Sequence, residues 1–399
     1  MFWKLHWRKR QPKASKSINC IVGNSMKIKA AVLRQSGLPR PYTESKPLSI
    51  EEVDLDPPKS NEVMIKVKAV GLCHSDLVAI SGERGKPMPI VLGHEAAGII
   101  TEIGDNVEGF EIGDHVVPSY VASCGLCEMC SSGRPALCEP ATVANAKAVL
   151  RDGTTRLSQN GKSIHHHSGV AGFAEYSVLS KEALVKIDKS IPFEQAALFG
   201  CGVVTGVGSV INTADAKAGQ FIGVVGLGGV GLSAVLASLA LGAGKVIAID
   251  LSEEKLEFAK ALGVHHAVNA ADSNAIEQVH KITNGGVHIA VETAGSGRAL
   301  QTAYEITRRG GTTVAAGMPG PEAEINLSHL KIAAEERCLQ GSYMGSCVAK
   351  RDIPRYLNMF QTGVLPVDKL MSRKINFGDL NEAMDRLDDA KTIREVLIP

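Results

Sequence analysis

The chain has 399 residues, of which 44% are hydrophobic and 21% charged, enough for two domains with a sizeable core. Its 43 basic and 42 acidic residues give no cationic excess, which argues against a nucleic-acid-binding protein. Nine cysteines without an apolar secretory segment argue against a disulfide framework and turn attention to metal binding.

The N-terminal stretch, residues 1–25, carries six Lys or Arg residues and no acid. No apolar segment follows it, so it is not a secretory signal. Its composition suits an organellar transit peptide or a leader of no structural consequence. We favour the second interpretation because a strand-like stretch, KIKAAVL, opens at Met26. We therefore expect a cytoplasmic protein, with organellar import as the alternative.

Three short motifs each offer a candidate metal ligand in a glycine-flanked setting. GLCHSD contains Cys73, GHEAAG contains His94, and Cys201 lies between two glycines. Two thiolates and one imidazole would leave the fourth position of a tetrahedral zinc open to water or substrate. Taken singly, each residue also fits a buried interior, because cysteine is among the most buried residue types.

Four further cysteines fall within fifteen residues in the spacing C-x2-C-x2-C-x7-C: Cys124, Cys127, Cys130 and Cys138. Gly125, Gly133 and Pro135 indicate that this segment is a loop. Four thiolates within reach of one another favour a closed tetrahedral zinc site. The spacing alone also allows an iron–sulfur cluster or a set of free thiols.

A nucleotide-binding unit is predicted for residues 221–250. A strand over 221–225 leads into a glycine loop, an apolar helix follows to about Leu241, and a second strand ends at Asp250. The loop has the G-x-G-x-x-G spacing and consists of Gly226, Leu227, Gly228, Gly229, Val230 and Gly231. Strand, loop, helix, strand and an acid 19 residues after the last glycine together predict dinucleotide binding.

The residues of this unit have distinct predicted tasks. Gly226 permits the tight turn, Gly228 lets the backbone approach the pyrophosphate, and Gly231 allows close packing of helix and strand. The N–H groups at the helix start face the phosphates. The carboxylate of Asp250 accepts both ribose hydroxyls of NAD and would repel the 2′-phosphate of NADP.

Further strand-like stretches at 265–270, 287–295 and 311–318 alternate with helical ones, which predicts a parallel sheet. The fold class is therefore an α/β Rossmann domain, residues 203–345, inserted into a β-rich catalytic domain formed by 26–202 and 346–399. The uncharged run from 218 to 244 is long enough to span a membrane, but its glycines and the strand after it favour a buried βαβ unit. We expect no membrane partner.

Taken together, GLCHSD, GHEAAG, CGLCEMC, GCGVVTG and GLGGVGL occur in the order found in a known family. From about Met26 to Pro399 the chain resembles the long-form zinc alcohol dehydrogenases of the medium-chain dehydrogenase/reductase superfamily, which include the animal liver enzymes and the glutathione-dependent formaldehyde dehydrogenases. The resemblance implies a GroES-like catalytic domain, an NAD-dependent dehydrogenase with two zinc ions per chain, and a small alcohol or aldehyde as substrate. It also removes the iron–sulfur interpretation. The Cys2His set is the known ligand set of alcohol dehydrogenases themselves.

The resemblance also implies a role for individual residues. The catalytic zinc ligands would be Cys73, His94 and Cys201, and the structural zinc ligands Cys124, Cys127, Cys130 and Cys138. Near the metal, Glu95 would be a carboxylate able to approach it, Asp76 would orient the zinc histidine, and Ser75 would take the substrate proton. At the cofactor, Asp250 and Lys255 would contact the adenosine ribose, His74 and Arg394 the pyrophosphate, and Thr205 the nicotinamide.

Two positions depart from the family pattern. Many members have a histidine three residues after the relay hydroxyl, where this chain has Val78. Proton transfer to solvent would then go through water or be slower at low pH. Glutathione-linked members have an arginine shortly after the last structural cysteine, where this chain has Thr142, which argues against a glutathione adduct as substrate, although Glu83 offers an acid in the loop where such members have one.

These observations leave two alternatives to a small-alcohol dehydrogenase. One is a dehydrogenase of S-hydroxymethyl thiol conjugates, and the other is a zinc- and NAD-binding protein without catalysis, against which the intact ligands and Ser75 argue. The histidines at 165–167 are expected not to bind metal, because family members also have histidines there. The segment 141–169, which shorter tetrameric relatives lack in large part, predicts a homodimer joined through a sheet edge near Gln340 to Met344.

Overall fold

The computed structural model describes residues 25–399, and the basic leader predicted for residues 1–25 lies outside this range apart from Ser25. The described strands are β1 Met26–Leu33, β2 Leu48–Leu55, β3 Glu62–Gly71, β4 Ile90–Val91, β5 Glu95–Ile103, β6 His115–Pro118, β7 Leu157–Gln159, β8 Lys162–His166, β9 Tyr176–Ser180, β10 Leu184–Ile187, β11 Phe221–Val225, β12 Lys245–Asp250, β13 His266–Asn269, β14 Val287–Glu292, β15 Thr307–Ala315, β16 Cys338–Gly341, β17 Met371–Ile375 and β18 Arg394–Leu397.

The helices of the same part of the chain are mostly short in the β-rich part and longer beside the parallel strands. They are α1 Tyr42–Ser45, α2 His74–Ser81, α3 Glu128–Ser131, α4 Glu139–Ala146, α5 Phe193–Leu198, α6 Gly202–Gly208, α7 Gly229–Ala240, α8 Glu253–Leu262, α9 Ala275–Thr283, α10 Gly297–Ile306, α11 His329–Glu335, α12 Ala349–Gln361 and α13 Leu380–Asp388. Within residues 25–399, no helix has the length and apolar character that a membrane span requires.

The β-rich part contains a closed barrel and a larger sheet. The barrel runs β1-β2-β7-β8-β4 and returns to β1. The second sheet has the order β10-β6-β5-β3-β18-β17, with β9 also pairing with β3. Because β17 and β18 follow the parallel sheet in sequence but join strands that precede it, the parallel sheet is an insertion within one β-rich unit. This agrees with the predicted GroES-like fold interrupted by a nucleotide domain.

The parallel sheet has six strands in the order β13-β12-β11-β14-β15-β16. All of its pairings are parallel, and the order reverses between β11 and β14. This is the doubly wound Rossmann arrangement, in which ligands bind at the carboxyl ends of the strands beside the reversal. The apolar α7 packs against this sheet with most of its residues buried, which explains the long uncharged run in the sequence. The predicted Rossmann fold is confirmed.

The outer strand of this sheet differs from the prediction in position. The edge strand β16 covers Cys338–Gly341 and is exposed along its whole length, whereas the sequence placed it near Gln340 to Met344. Residues Met344–Ser346 instead form a 3-10 turn in which Gly345 has a φ of 62°, a conformation that no strand adopts. The strand therefore ends earlier than its apolar residues suggested.

Candidate active site

The glycine loop follows β11 at the reversal of strand order and leads into α7, which begins at Gly229. Gly226 has a φ of 92°, and a Cβ there would lie 2.7 Å from the backbone nitrogen of Ala294. A Cβ on Gly231 would lie 1.8 Å from the carbonyl oxygen of Gly226. Both positions therefore require glycine, for the turn and for close packing respectively.

Gly228 lies in a different setting. A Cβ there would meet no atom within 4 Å, because the residue faces a cavity of about 770 Å³. Asp250 lies on the wall of the same cavity, and its carboxylate accepts hydrogen bonds from the N–H groups of Leu227 (2.6 Å) and Ser252 (2.9 Å). Lys255, at the start of α8, lines the cavity beside it. Open backbone at a helix start with a fixed acid nearby suits a dinucleotide.

The three predicted catalytic ligands come from separate elements of the β-rich part. Cys73 is the N-cap of α2, His94 lies between β4 and β5, and Cys201 is the N-cap of α6. Their ligand atoms and a carboxylate oxygen of Glu95 all lie within 4.8 Å of one another. Cys73, His94 and Cys201 also line the cavity that the glycine loop faces. The structure thus brings the three ligands together on the wall of the cavity that the glycine loop faces.

Negative charge within this cluster favours a cation between its side chains. The Cys201 thiol hydrogen-bonds to Cys73 and, together with His94, holds the pKa of the Cys73 thiol well below its ordinary value despite burial. Burial alone would lower the pKa of His94, but the charges of Asp76 and Cys73 raise it well above its usual value. Cysteine thiolates and a histidine imidazole whose Nδ1 is hydrogen-bonded are donors that zinc prefers.

Asp76 lies behind the ligands and is fully buried. Its Oδ1 accepts hydrogen bonds from the Gly93 N–H (3.0 Å), His94 Nδ1 (3.2 Å) and His167 Nδ1 (2.9 Å), and its Oδ2 accepts one from the Cys73 N–H (3.3 Å). The bond to Nδ1 leaves the Nε2 of His94 as the metal-binding atom. The predicted orienting position of Asp76 agrees with this geometry.

Glu95 and Arg394 form a buried pair beside the same cluster. Glu95 Oε1 accepts hydrogen bonds from the Gly202 N–H (3.0 Å) and from Arg394 Nη1 (3.1 Å), whereas its Oε2 has no partner within residues 25–399. Burial raises the pKa of Glu95 to about 7, although Arg394 acts in the opposite direction. Arg394 also donates to the Leu72 carbonyl (3.0 Å) and packs against Gly229 of the nucleotide loop, so it joins the two candidate sites.

The four-cysteine segment forms a compact lobe around α3. Sγ–Sγ distances are 3.9 Å for Cys124–Cys130 and 4.0 Å for Cys127–Cys138, far longer than a disulfide. Thiolates about 2.3 Å from a tetrahedral zinc lie about 3.8 Å apart, so the spacing fits that ion. The N–H groups of Leu126 and Cys127 donate to Cys124 Sγ and lower the pKa of this thiol to about 6. The lobe therefore offers four converging sulfur donors and no open position.

The remaining predicted residues line the main cavity. Ser75 is half-buried and His74 exposed at the start of α2, and Thr205 on α6 donates its hydroxyl to the Cys201 carbonyl (2.8 Å). Val78 is buried one turn after Ser75. Glu83 is exposed and lies beside His74 and Val78 at a second, smaller cavity of about 440 Å³.

Several residues of the cavity were not assigned to the active site from the sequence. His167, Tyr120 and Tyr343 line it near the zinc ligands, and Arg84 and Lys86 line it on the loop after α2. The ring centroid of His94 lies 5.1 Å from that of His167 and 5.8 Å from that of Tyr120. A parallel pairing of β4 with β8 explains His167, because the residues that follow two parallel strands meet at the same edge.

The comparisons with known proteins agree with this geometry. Residues 59–189 match the family model described as alcohol dehydrogenase GroES-like domain, and residues 229–362 match the one described as zinc-binding dehydrogenase. The chain is 36% identical over 376 residues to the S-(hydroxymethyl)glutathione dehydrogenase of a Synechocystis species, covering 93% of this chain and all of that protein. The chain belongs to the zinc-dependent alcohol dehydrogenases of the medium-chain dehydrogenase/reductase superfamily.

Further relatives span nearly the whole chain. Alcohol dehydrogenase class-3 of Drosophila melanogaster is 36% identical over 362 residues, 89% of this chain and 95% of that protein. Among solved structures, an alcohol dehydrogenase zinc-binding domain protein from Burkholderia ambifaria has a TM-score of 0.89 at 31% identity, covering 94% of this chain and 100% of that one. Benzyl alcohol dehydrogenase from Acinetobacter calcoaceticus has a TM-score of 0.87 at 31% identity, covering 94% and 99%.

Membership of this family confirms the predicted activity. The protein is an NAD-dependent zinc oxidoreductase that interconverts alcohols with aldehydes or ketones. The alternative of a zinc- and NAD-binding protein without catalysis is set aside. The finer choice between a simple alcohol and an S-hydroxymethyl thiol conjugate stays open, because both fit the relatives.

Proposed function

We propose that Cys73, His94 and Cys201 hold a catalytic zinc whose fourth position receives a small primary or aromatic alcohol. A single observation carries this proposal. The three ligand atoms converge on the wall of the same cavity that the glycine loop lines. When bound there, zinc supplies a Lewis acid toward the substrate oxygen. We assign a structural zinc to the four-cysteine lobe, where four donors leave no position for substrate.

The protein's own groups prepare this chemistry by position and charge. Asp76 fixes the ring of His94 through Nδ1, and Arg394 holds the carboxylate of Glu95 beside the ligand cluster. The hydroxyl of Ser75, next to the ligand Cys73 and on the cavity wall, accepts the proton that the alcohol loses. His74, exposed on the same wall, would lie near the cofactor phosphates. Because position 78 is an apolar valine, the proton then leaves through water.

The cavity that the glycine loop faces indicates where the cofactor would bind. The open backbone of Gly228 and the first N–H groups of α7 would receive the pyrophosphate, with Arg394 against Gly229 as a positive charge. Asp250, held by two backbone N–H groups, would accept the ribose hydroxyls, and Lys255 lies beside it. Thr205, which donates to the Cys201 carbonyl, would lie beside the nicotinamide.

The substrate is tested with the purified protein, NAD and a panel of primary, secondary and aromatic alcohols. Formaldehyde supplied with glutathione gives the second candidate substrate, an S-hydroxymethyl conjugate, which the name of the Synechocystis relative favours. We expect turnover of simple alcohols at least as efficient as that of the conjugate. A kcat/KM that is about tenfold or more higher for the conjugate would reverse the order of the two candidates.

We further propose that the protein is a cytoplasmic homodimer. The edge strand β16 leaves its backbone groups exposed, and Leu330 on the preceding helix α11 is 76% exposed. Pairing β16 with its copy across a twofold axis would satisfy those groups and cover this apolar surface. Cell fractionation of the full chain tests the cytoplasmic location against organellar import.

A further inference from the structure

Two cations of the cavity wall have no acidic partner among residues 25–399. Arg84 and Lys86 lie on the loop between α2 and β4, and both are half-buried. Lys86 Nζ donates to the backbone carbonyl of Asn145 (3.3 Å), and Arg84 Nη2 makes a long contact to the carbonyl of Met318 (3.4 Å). Within the described residues, each side chain therefore contacts one uncharged backbone carbonyl and keeps further N–H groups available for a ligand.

The lack of a counterion sets this pair apart. Within the described range, neither side chain lies within 4.0 Å of a carboxylate, and the buried Nε of Arg84 has no hydrogen-bond partner. By contrast, the buried Arg156 is held by Glu62 through two hydrogen bonds. Removing a cation from water without a counterion is unfavourable. Burial lowers the pKa of Lys86, and the charge of Arg84 lowers it further.

Arg84 shares the wall of this cavity with Tyr343 and Tyr120. The ring of Tyr343 packs edge-to-face on Tyr120 at 5.9 Å, and Tyr120 packs edge-to-face on His94 at 5.8 Å. The two aromatic rings therefore extend from the metal-binding imidazole along the wall to which Arg84 also contributes.

Lys86 approaches the same site from the other direction. Its carbonyl partner, Asn145, is on α4, which follows the four-cysteine lobe and lines the cavity. Asn145 in turn donates to the backbone carbonyl of Tyr120 (2.7 Å), whose ring lies 5.8 Å from that of His94. Both cations thus line the cavity in which a substrate bound at the zinc would lie.

We infer that Arg84 and Lys86 form a subsite for an anionic group of the substrate, a carboxylate or a phosphate several bonds away from the carbinol carbon. Guanidinium and ammonium groups with unused N–H donors are the side chains that bind such anions through charge-assisted hydrogen bonds. The inference rests on the proposed function, because it assumes that the carbinol oxygen is at the zinc. Among small alcohols or aldehydes of similar shape, an anionic one is then preferred to a neutral one.

The test compares substrates of nearly equal shape. The wild type is assayed with NAD on 4-(hydroxymethyl)benzoate and on neutral 4-methylbenzyl alcohol, and 4-(hydroxymethyl)phenyl phosphate serves as the phosphate arm. We expect kcat/KM to favour one anionic substrate over the neutral one by about tenfold or more, and the preference to decline as salt is added. The better of the two anionic substrates identifies the anion.

Variants then assign the preference to the two cations. Arg84→Gln and Lys86→Gln should each lower the ratio of anionic to neutral kcat/KM by about tenfold, mainly through KM. Lys86→Arg, which keeps the positive charge, should retain most of the wild-type ratio. Arg373→Gln, an exposed cation outside the cavity and without an ion pair among the described residues, is the matched control and should leave the ratio unchanged. Unchanged ratios in both glutamine variants would overturn the inference.

A binding measurement separates this inference from the proposed function. Calorimetric titration of 4-methylbenzoate reports the anion subsite without turnover, and its affinity should fall in Arg84→Gln and Lys86→Gln. If the wild type binds 4-methylbenzoate, the two variants bind it more weakly and no alcohol is oxidised, the subsite is supported and the proposed function is contradicted. If neutral alcohols are oxidised and neither variant changes the affinity for 4-methylbenzoate, the proposed function is supported and the subsite is contradicted.

Discussion

Replacing Asp76 by asparagine tests whether this buried carboxylate maintains the catalytic metal site. The oxygen Oδ1 accepts three hydrogen bonds, from the Gly93 N–H, His94 and His167, and Oδ2 accepts the weakest bond, 3.3 Å from the Cys73 N–H. An asparagine with its amide oxygen at the Oδ1 position keeps the three stronger bonds. Its NH2 group then faces the N–H of Cys73, so the variant loses one weak bond and one negative charge.

The lost charge determines the expected magnitude. A carboxylate behind a metal-binding histidine raises the basicity of that ligand, and its replacement typically costs about 10- to 100-fold in metal affinity or activity, or about 1.4 to 2.7 kcal/mol. We therefore expect Asp76→Asn to lower zinc affinity at one site by that factor and kcat by a similar one. Zinc release to a coloured chelator, followed in time, resolves the two sites.

The four-cysteine lobe provides an internal control for Asp76→Asn, because none of its ligands contacts that side chain. A matched variant is Asp114→Asn, another buried carboxylate that pairs with Lys186 outside the zinc site. This variant should leave both zinc affinities unchanged. If Asp76→Asn releases zinc at the wild-type rate from both sites and keeps its kcat, the role given to Asp76 is wrong.

Three further predictions concern metal content, cofactor choice and assembly. Metal analysis should find about two zinc ions per chain, with Cys73→Ser losing one ion and most activity, and Cys127→Ser losing the other and mainly lowering Tm. A wild-type content near one would remove one of the two assignments. The wild type should prefer NAD to NADP by at least about tenfold in kcat/KM, about 1.4 kcal/mol, and Asp250→Gly should reduce this preference. Equal use of the two cofactors would contradict the role of Asp250. Light scattering should give about twice the chain mass of 42.1 kDa, and a dominant species near four times that mass would refute the dimer.

Local sequence signals predicted the nucleotide-binding unit best. The strand over 221–225 was placed with its observed bounds, because an apolar run, a glycine loop and a helix are adjacent in the chain. The edge strand was misplaced, since its position depends on the turn at Gly345 and not on its own residues. Short-range sequence patterns are enough to locate a strand that is followed by a glycine loop and a helix. The end of an exposed edge strand depends instead on tertiary packing.

The catalytic cluster illustrates the opposite case. Cys73, His94 and Cys201 are far apart in sequence, and only the family resemblance brought them together before the structure did. His167 was considered only as a metal ligand, and its hydrogen bond to Asp76, 91 positions earlier in the chain, was not predicted. No periodicity links the two histidines, because their proximity arises from the parallel pairing of two short barrel strands.

The charge of the cavity bears on the choice between the two substrate candidates. The absence of an arginine at Thr142 argued against a glutathione conjugate, but Thr142 is exposed and is not part of the cavity wall. Arg84 and Lys86 place positive charge on that wall from a different loop, and glutathione carries free carboxylates. Arg84→Gln and Lys86→Gln therefore test both whether the cavity has an anion subsite and whether the glutathione conjugate uses it. If Lys86→Gln lowers the anionic preference and turnover of the glutathione–formaldehyde conjugate in parallel, the conjugate uses this subsite; if turnover of the conjugate is unaffected, the anion belongs to a different alcohol.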